Sequence, residues 1–162
     1  MCAASTSAAN TSSEEDPERA YKNCNNFFNP NICHVCKSTI IRIVCKCNMI
    51  CYCSKYHQQK YENQHMDMCK SLQRIQYIYK ARFNITLRFN QEEWIKTRKE
   101  LKTYVRSRLA RDLVPYEKQM ILFARSCLIC HQQIDLSPCL RCYSSNYCDE
   151  HREAFQNQHY FN

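Results

Sequence analysis

The sequence predicts a small, zinc-stabilised, mainly α protein with short β segments, in which a helical linker joins two metal-binding modules. Three observations predict it. Cys33, Cys36, Cys45, Cys47, Cys53, His57, His65 and Cys69 crowd into one run as four close pairs. A second set, Cys127, Cys130, Cys139, Cys142, Cys148, His151 and His159, follows the same order. Between them lies a stretch rich in Lys and Arg whose apolar residues recur at helical spacing.

Fourteen cysteines among 162 residues, with no glycine, narrow the class further. The N-terminus, MCAASTSAANTSSEEDPERA, has neither the basic start nor the apolar stretch of a secretory signal. Reduced compartments keep thiols free, so clustered Cys with interleaved His points to metal rather than disulfides. No segment reaches the ~18 apolar residues of a membrane span. The expectation is an intracellular protein, nuclear or cytoplasmic, with no membrane partner.

Residues 1–30 are rich in Ala, Ser, Thr, Glu and Asn without apolar periodicity, and read as a disordered tail. Cys2 and Cys24 read as plain thiols. The first module spans 31–70. Its pairs are Cys33-x2-Cys36, Cys45-x-Cys47, Cys53-x3-His57 and His65-x3-Cys69. Zinc takes four Cys or His ligands, and a short spacer lets one turn present two of them. Thr39 to Val44 is rich in β-branched residues and predicts a short strand. Ser54 to Lys70 predicts two short helices, with His65 and Cys69 one turn apart on a shared face. So small a module cannot close by burial alone; structural zinc, worth roughly 10–16 kcal/mol in finger peptides, would hold it.

This run resembles the MYND-type zinc finger family. The resemblance rests on Cys33-x2-Cys36, on Tyr52-Cys53-Ser54 followed by His57-Gln58, and on the closing His65-x3-Cys69. It implies a cross-brace of two zinc ions, one held by Cys33, Cys36, Cys53 and His57, the other by Cys45, Cys47, His65 and Cys69. The chain departs from the family in the single spacer of Cys45-x-Cys47 and in Tyr61, which stands where a tryptophan is usual.

Residues 71–126 read as a basic helical linker. Leu72, Ile75 and Tyr79 share a stripe that extends the module's last helix. Asn90 is a natural N-cap, with Glu92 and Glu93 in the first turn after it. Trp94, Leu101, Val105 and Leu109 mark the buried face of the next helix, which stops before Pro115. Pro115 then starts a third helix carrying Met120, Ile121 and Phe123. From Lys70 to Arg125 there are 14 Lys and Arg against five Asp and Glu, so the formal charge of +8 is concentrated here. A solvated helical surface accounts for this charge better than nucleic-acid binding, because few aromatics fall on that face for stacking.

Residues 127–162 read as a second, degenerate MYND-like module. A shift of 94 carries Cys33, Cys36, Cys45, His57 and His65 onto Cys127, Cys130, Cys139, His151 and His159. A shift of 95 carries Cys47 and Cys53 onto Cys142 and Cys148. Asn63-Gln64-His65 recurs as Asn157-Gln158-His159, and Tyr61 becomes Phe155. Cys69 maps one position beyond Asn162, so an incomplete chain is expected, with one or two zinc ions here and two in the first module. Cys51, His34 and His131 have no ligand counterpart in the repeat and read as packing or surface residues.

Filled Cys3His sites leave no place for water or substrate, and no G-x-S-x-G, phosphate-cradling glycine loop or H-E-x-x-H occurs. A non-enzyme is expected. The resemblance implies a protein-interaction adaptor that docks short proline-containing peptides, in keeping with transcriptional regulation. The alternatives are a nucleic-acid binder using the basic middle, and a fragment of a larger MYND-containing enzyme such as a SET-type methyltransferase.

Overall fold

The computed structural model describes residues 27–160; most of the tail expected at 1–30, with Cys2 and Cys24, lies outside them. Phe28 and Pro30 are buried, and the Phe28 N–H donates to Gln119 Oε1 at 3.1 Å. Phe28 is buried at 6% exposure while Phe27 stays in solvent at 49%, since burying one ring is favourable once a helix offers a surface.

Strand β1 (Ile43–Val44) pairs antiparallel with β2 (Cys51–Tyr52), Ile43 opposite Tyr52. The strand expected over Thr39 to Val44 is thus two residues long, because only its end finds a partner. Helix α1 (Lys55–Ile78) follows, with the Ser54 hydroxyl accepting from the His57 N–H at 3.2 Å. It is one continuous helix of 24 residues, not two short ones. No Pro or Gly interrupts it, so nothing in the backbone forces a break.

A short helix α2 (Lys80–Phe83) leads to α3 (Gln91–Leu109), capped by Asn90 Oδ1 on the Glu93 N–H at 2.9 Å. Helix α4 (Pro115–Leu122) starts with Pro115 as expected. The buried Glu117 carboxylate turns back to the Val114 N–H at 3.0 Å and takes both Arg111 guanidinium nitrogens at 2.8 and 2.9 Å. Phe123 closes α4 exposed rather than joining the core. Strands β3 (Leu136–Pro138) and β4 (Asn146–Cys148) pair antiparallel, and a 3-10 turn leads into α5 (Arg152–Tyr160).

Helices and short strands therefore dominate, as expected. The middle of the chain does more than connect. Met49, Ile50, Tyr52 and Met68 from the first cysteine run share one buried cluster with Leu72, Ile75, Leu101, Val105, Met120 and Ile121. A knuckle of this size has too little volume to enclose its own apolar residues, and α3 and α4 supply the missing wall. The second module is tied to this body by backbone bonds, Phe89 N–H to Cys130 O and Gln133 N–H to Ile85 O, each 2.8 Å.

The basic charge is also partly engaged. Arg82 bonds Glu100 at 2.8 Å and Glu93 at 3.3 Å, Arg106 bonds Asp112, and Arg88 pairs with Glu150 of the second module. Arg98 is buried with its guanidinium 4.2 Å from the Trp94 ring centre. The His131 ring also lies against Trp94, 5.2 Å away and nearly parallel to it. No helix among the described residues is long and apolar enough to cross a membrane.

Candidate metal centre

The ligand pairs are built by local turns. In the first, the Cys33 N–H donates to Ser38 O at 2.8 Å and the Lys37 N–H returns to Cys33 O at 2.9 Å, so both thiols leave one side of the turn. The Asn48 N–H closes on Cys45 O in the same way at 2.8 Å. The second module repeats these bonds: Cys127 N–H to Gln132 O, His131 N–H to Cys127 O, and Tyr143 N–H to Cys139 O, all 2.8 Å. The antiparallel strands then bring Cys53 and Cys148 beside the first turns, through His34 N–H to Cys51 O at 3.0 Å and Leu128 N–H to Asn146 O at 2.9 Å. Histidines enter from α1, from the 3-10 turn and from α5.

Four groups result, each able to hold a metal ion. Cys33, Cys36, Cys53 and His57 converge, as do Cys45, Cys47, His65 and Cys69. Cys127, Cys130, Cys148 and His151 form a third, and Cys139, Cys142 and His159 a fourth. Within each group the donor atoms all lie within 4.8 Å of one another. In chain order the first pair meets the third, and the second meets the fourth. All 15 of the expected ligands fall in these groups, and no carboxylate among the described residues joins them.

Zinc–ligand lengths fix what the edges of a tetrahedron must be: about 3.8 Å between two sulfurs and about 3.5 Å between sulfur and nitrogen. The observed edges straddle those values. Cys36 to Cys53 is 3.6 Å, Cys45 to Cys69 is 3.5 Å and Cys130 to Cys148 is 4.0 Å between sulfurs. Cys53 and Cys33 lie 3.1 and 3.7 Å from His57 Nδ1. Cys47 lies 3.4 Å from His65 Nε2, and Cys142 the same distance from His159 Nε2. The histidines thus alternate: Nδ1 points inward for His57 and His151, Nε2 for His65 and His159. The donor set and its size are compatible with zinc.

Backbone dipoles favour the thiolate at Cys33 and Cys139, whereas burial raises the thiols of their neighbours Cys36 and Cys130 to about 11. Burial pushes the Cys33 thiol up, but the N–H groups of Cys36, Cys53 and Val35 and the His57 ring outweigh it and bring it down to about 7. The same balance, with the N–H groups of Cys142 and Arg141 and the Tyr160 hydroxyl, brings Cys139 to about 7. Gln73 Nε2 donates to the Cys69 sulfur at 3.1 Å and the Ser144 N–H to the Cys142 sulfur at 3.4 Å. Sequence spacing did not single out Gln73, although its place one turn after Cys69 on a helix is the signal that would find it.

Cys51 stands outside the groups. Its thiol donates to Pro30 O and Ile32 O, each at 3.3 Å, and burial pushes it up to about 12. His34 is buried between Tyr61 at 4.4 Å and Tyr116 at 4.9 Å, where desolvation lowers it to about 3. Tyr61 itself is buried in that cluster. Cys45, His65 and Cys69 of the second group themselves line a hollow of about 310 Å³, together with Lys46, Tyr52, Gln58, Glu62 and Met66. Three groups offer four donors and so would leave a tetrahedral metal no open position; the fourth offers three among the described residues. No protein-family model, no curated protein and no solved structure matches this chain.

Proposed function

We propose that the chain is a MYND-type zinc protein, with two cross-braced modules related by an internal repeat, acting as a docking platform for extended proline-containing peptides. The observation that carries the metal reading is the convergence of donor pairs into three Cys3His sets and one Cys2His set whose spacings fit tetrahedral edges. The matched turn bonds after Cys33 and Cys127, and after Cys45 and Cys139, support the repeat. In this reading zinc is architectural. A closed donor set binds no substrate, and the metal's role is to fix the turns and strands against α1.

The hollow beside the second group supports the docking part. Tyr52, Met66 and the stems of Lys46 and Lys70 give it apolar floor and walls, while Gln58 and Gln73 can hydrogen-bond a peptide backbone. An extended or polyproline segment suits it because such a segment loses little entropy on binding. The deciding experiment is an amide-resonance titration of the zinc-loaded chain with a proline-containing peptide. Shifts should concentrate on Lys46, Gln58 and Met66, and Gln58→Ala should weaken them. A saturating peptide that moves no resonance around this hollow would refute the docking reading and leave the metal reading standing.

A further inference from the structure

The same backbone bonds mark out corresponding faces on the two modules. The His34 N–H donates to Cys51 O at 3.0 Å, as the Leu128 N–H does to Asn146 O at 2.9 Å. The Cys45 N–H donates to Ile50 O, as the Cys139 N–H does to Ser145 O, both at 2.8 Å. Leu128, Ser145 and Asn146 therefore stand where His34, Ile50 and Cys51 stand in the first module. There the face is closed by the chain itself. The Tyr116 ring of α4 packs on His34 at 4.9 Å, and Ile50 joins the shared buried cluster. The Cys51 thiol is taken up by Pro30 O and Ile32 O.

In the second module the face is open. Leu128, Ser145 and Asn146 line a hollow of about 380 Å³, walled by Trp94 and Ile95 of α3 and by Phe123, the cap of α4. Ile95 is 43% exposed, Phe123 64% and Leu128 38%, so three separate elements bring apolar side chains to one cavity and leave them in water. No Asp, Glu, Lys or Arg lines it, in a chain whose formal charge is +8. Asn146 is 2% exposed, and its Oδ1 has no hydrogen-bond partner among the described residues. A buried acceptor left unpaired is costly, and native structures rarely keep one without a reason. Apolar walls with a few polar groups between them are the composition of a binding site, and the volume falls in the usual range.

We propose that this hollow receives the side chain of a tyrosine on a partner protein, with its ring against Ile95, Phe123 and Leu128 and its hydroxyl donating to Asn146 Oδ1. The first module supplies the precedent, since Tyr116 covers the corresponding face there from within the chain. An uncharged ring suits an uncharged lining. A charged side chain would shed its water with no countercharge to meet it. A purely apolar one would leave the Asn146 oxygen unpaired. This docking rests on the correspondence of the two modules. It is independent of the proline-peptide reading, which concerns the hollow at the second metal group.

The test is an amide-resonance titration of the metal-loaded full chain with N-acetyl-tyrosinamide, run against N-acetyl-phenylalaninamide, which lacks only the hydroxyl. Shifts should gather on Leu128, Ser145 and Asn146, with a Kd of about 1 mM for so small a probe. The phenylalanine probe should bind at least about fivefold more weakly, because it leaves the acceptor unpaired. Asn146→Leu should erase that preference. Phe123→Ala, at an exposed site outside the core, should weaken the tyrosine probe by about fivefold and keeps the test decisive if Asn146→Leu fails to fold. Native mass spectrometry of the same samples separates this docking from the metal reading: a fully metal-loaded chain that ignores the tyrosine probe overturns the docking alone. Equal binding of the two probes overturns it, as does unchanged binding by Phe123→Ala. Shifts confined to Lys46, Gln58 and Met66 would overturn it by placing the probe in the other hollow. A dimer that the tyrosine probe dissolves would make a second copy the occupant and overturn it too.

Discussion

Replacing Cys53 with Ser tests the metal architecture at its most connected point. The Cys53 sulfur lies 3.6 Å from that of Cys36 and 3.1 Å from His57 Nδ1, so it links the first turn, β2 and α1. If finger metals contribute roughly 10–16 kcal/mol through four donors, one thiolate is worth about 3–4 kcal/mol. That corresponds to metal affinity roughly two to three orders of magnitude weaker. A coupled loss of about 3 kcal/mol in a chain of this length should lower Tm by about 6–12 °C. The helices should largely survive, because α1 also packs through Leu72 and Ile75 on Leu101 and Val105, away from the metal. The assay is native mass spectrometry under mild chelation, with circular dichroism on the same sample. One metal fewer, a lower Tm and a mostly retained helical signal are expected. A Cys53→Ser protein with its full metal complement and unchanged Tm would refute the assignment of Cys53 as a ligand.

Other expectations bear on separate parts of the molecule. Leu101→Ala, at a position with 0% exposure, should cost about 2–5 kcal/mol while metal content stays constant by mass spectrometry. Among the described residues the group of Cys139, Cys142 and His159 has three donors, so graded chelation should strip its metal first, and Cys142→Ser should abolish only that first step. Glu100 is held below the ordinary carboxylate range by hydrogen bonds from Arg82. Its contribution is present above the unfolded pKa and lost as pH falls through the lowered one. Glu100→Gln should therefore flatten the acid limb of stability against pH, by no more than about 1 kcal/mol because the pair is solvent-screened.

The donors were legible in the sequence because a knuckle is local: Cys-x2-Cys spacing and the turn that uses it sit within a few residues. Which pairs converge is a tertiary fact, and spacing alone does not contain it; the family resemblance supplied that expectation. The continuity of α1 through residues 60 to 70 was available in the absence of any breaker. The shared core was not, since Met49, Ile50 and Met68 show no periodicity that names α3 and α4 as their partners. Trp94 illustrates the same limit. Helical spacing puts it on a buried face, but nothing local foretells Arg98 and His131 against its ring. Pairing likewise engages cations such as Arg88 and Arg111 that helical spacing leaves unpartnered, because their carboxylates lie on other elements.

The absence of glycine has a mechanical consequence. Among the described residues, six adopt positive φ: Lys37, Asn48, Ala110, His131, Asp135 and Tyr143, between 52° and 62°. Four of them, Lys37, Asn48, His131 and Tyr143, directly follow the second cysteine of a ligand pair, where their N–H groups close the turn. The left-handed region costs a residue with a Cβ about 1–2 kcal/mol, less for Asn. At those four turns a bound metal would offset the cost. At Ala110, the cap of α3, no metal group among the described residues is at hand, and its N–H bonds Arg106 O at 3.0 Å. Ala110→Gly should therefore stabilise the protein, since a glycine in this cap position relieves the Cβ clash. Glycine's greater freedom in the unfolded chain subtracts from the gain, leaving about 0.5–1 kcal/mol. In thermal melts that is a rise of a few degrees, and it should persist with the metals removed. A Tm that falls, or a rise seen only in the metal-loaded protein, would contradict strain stored at the cap of α3.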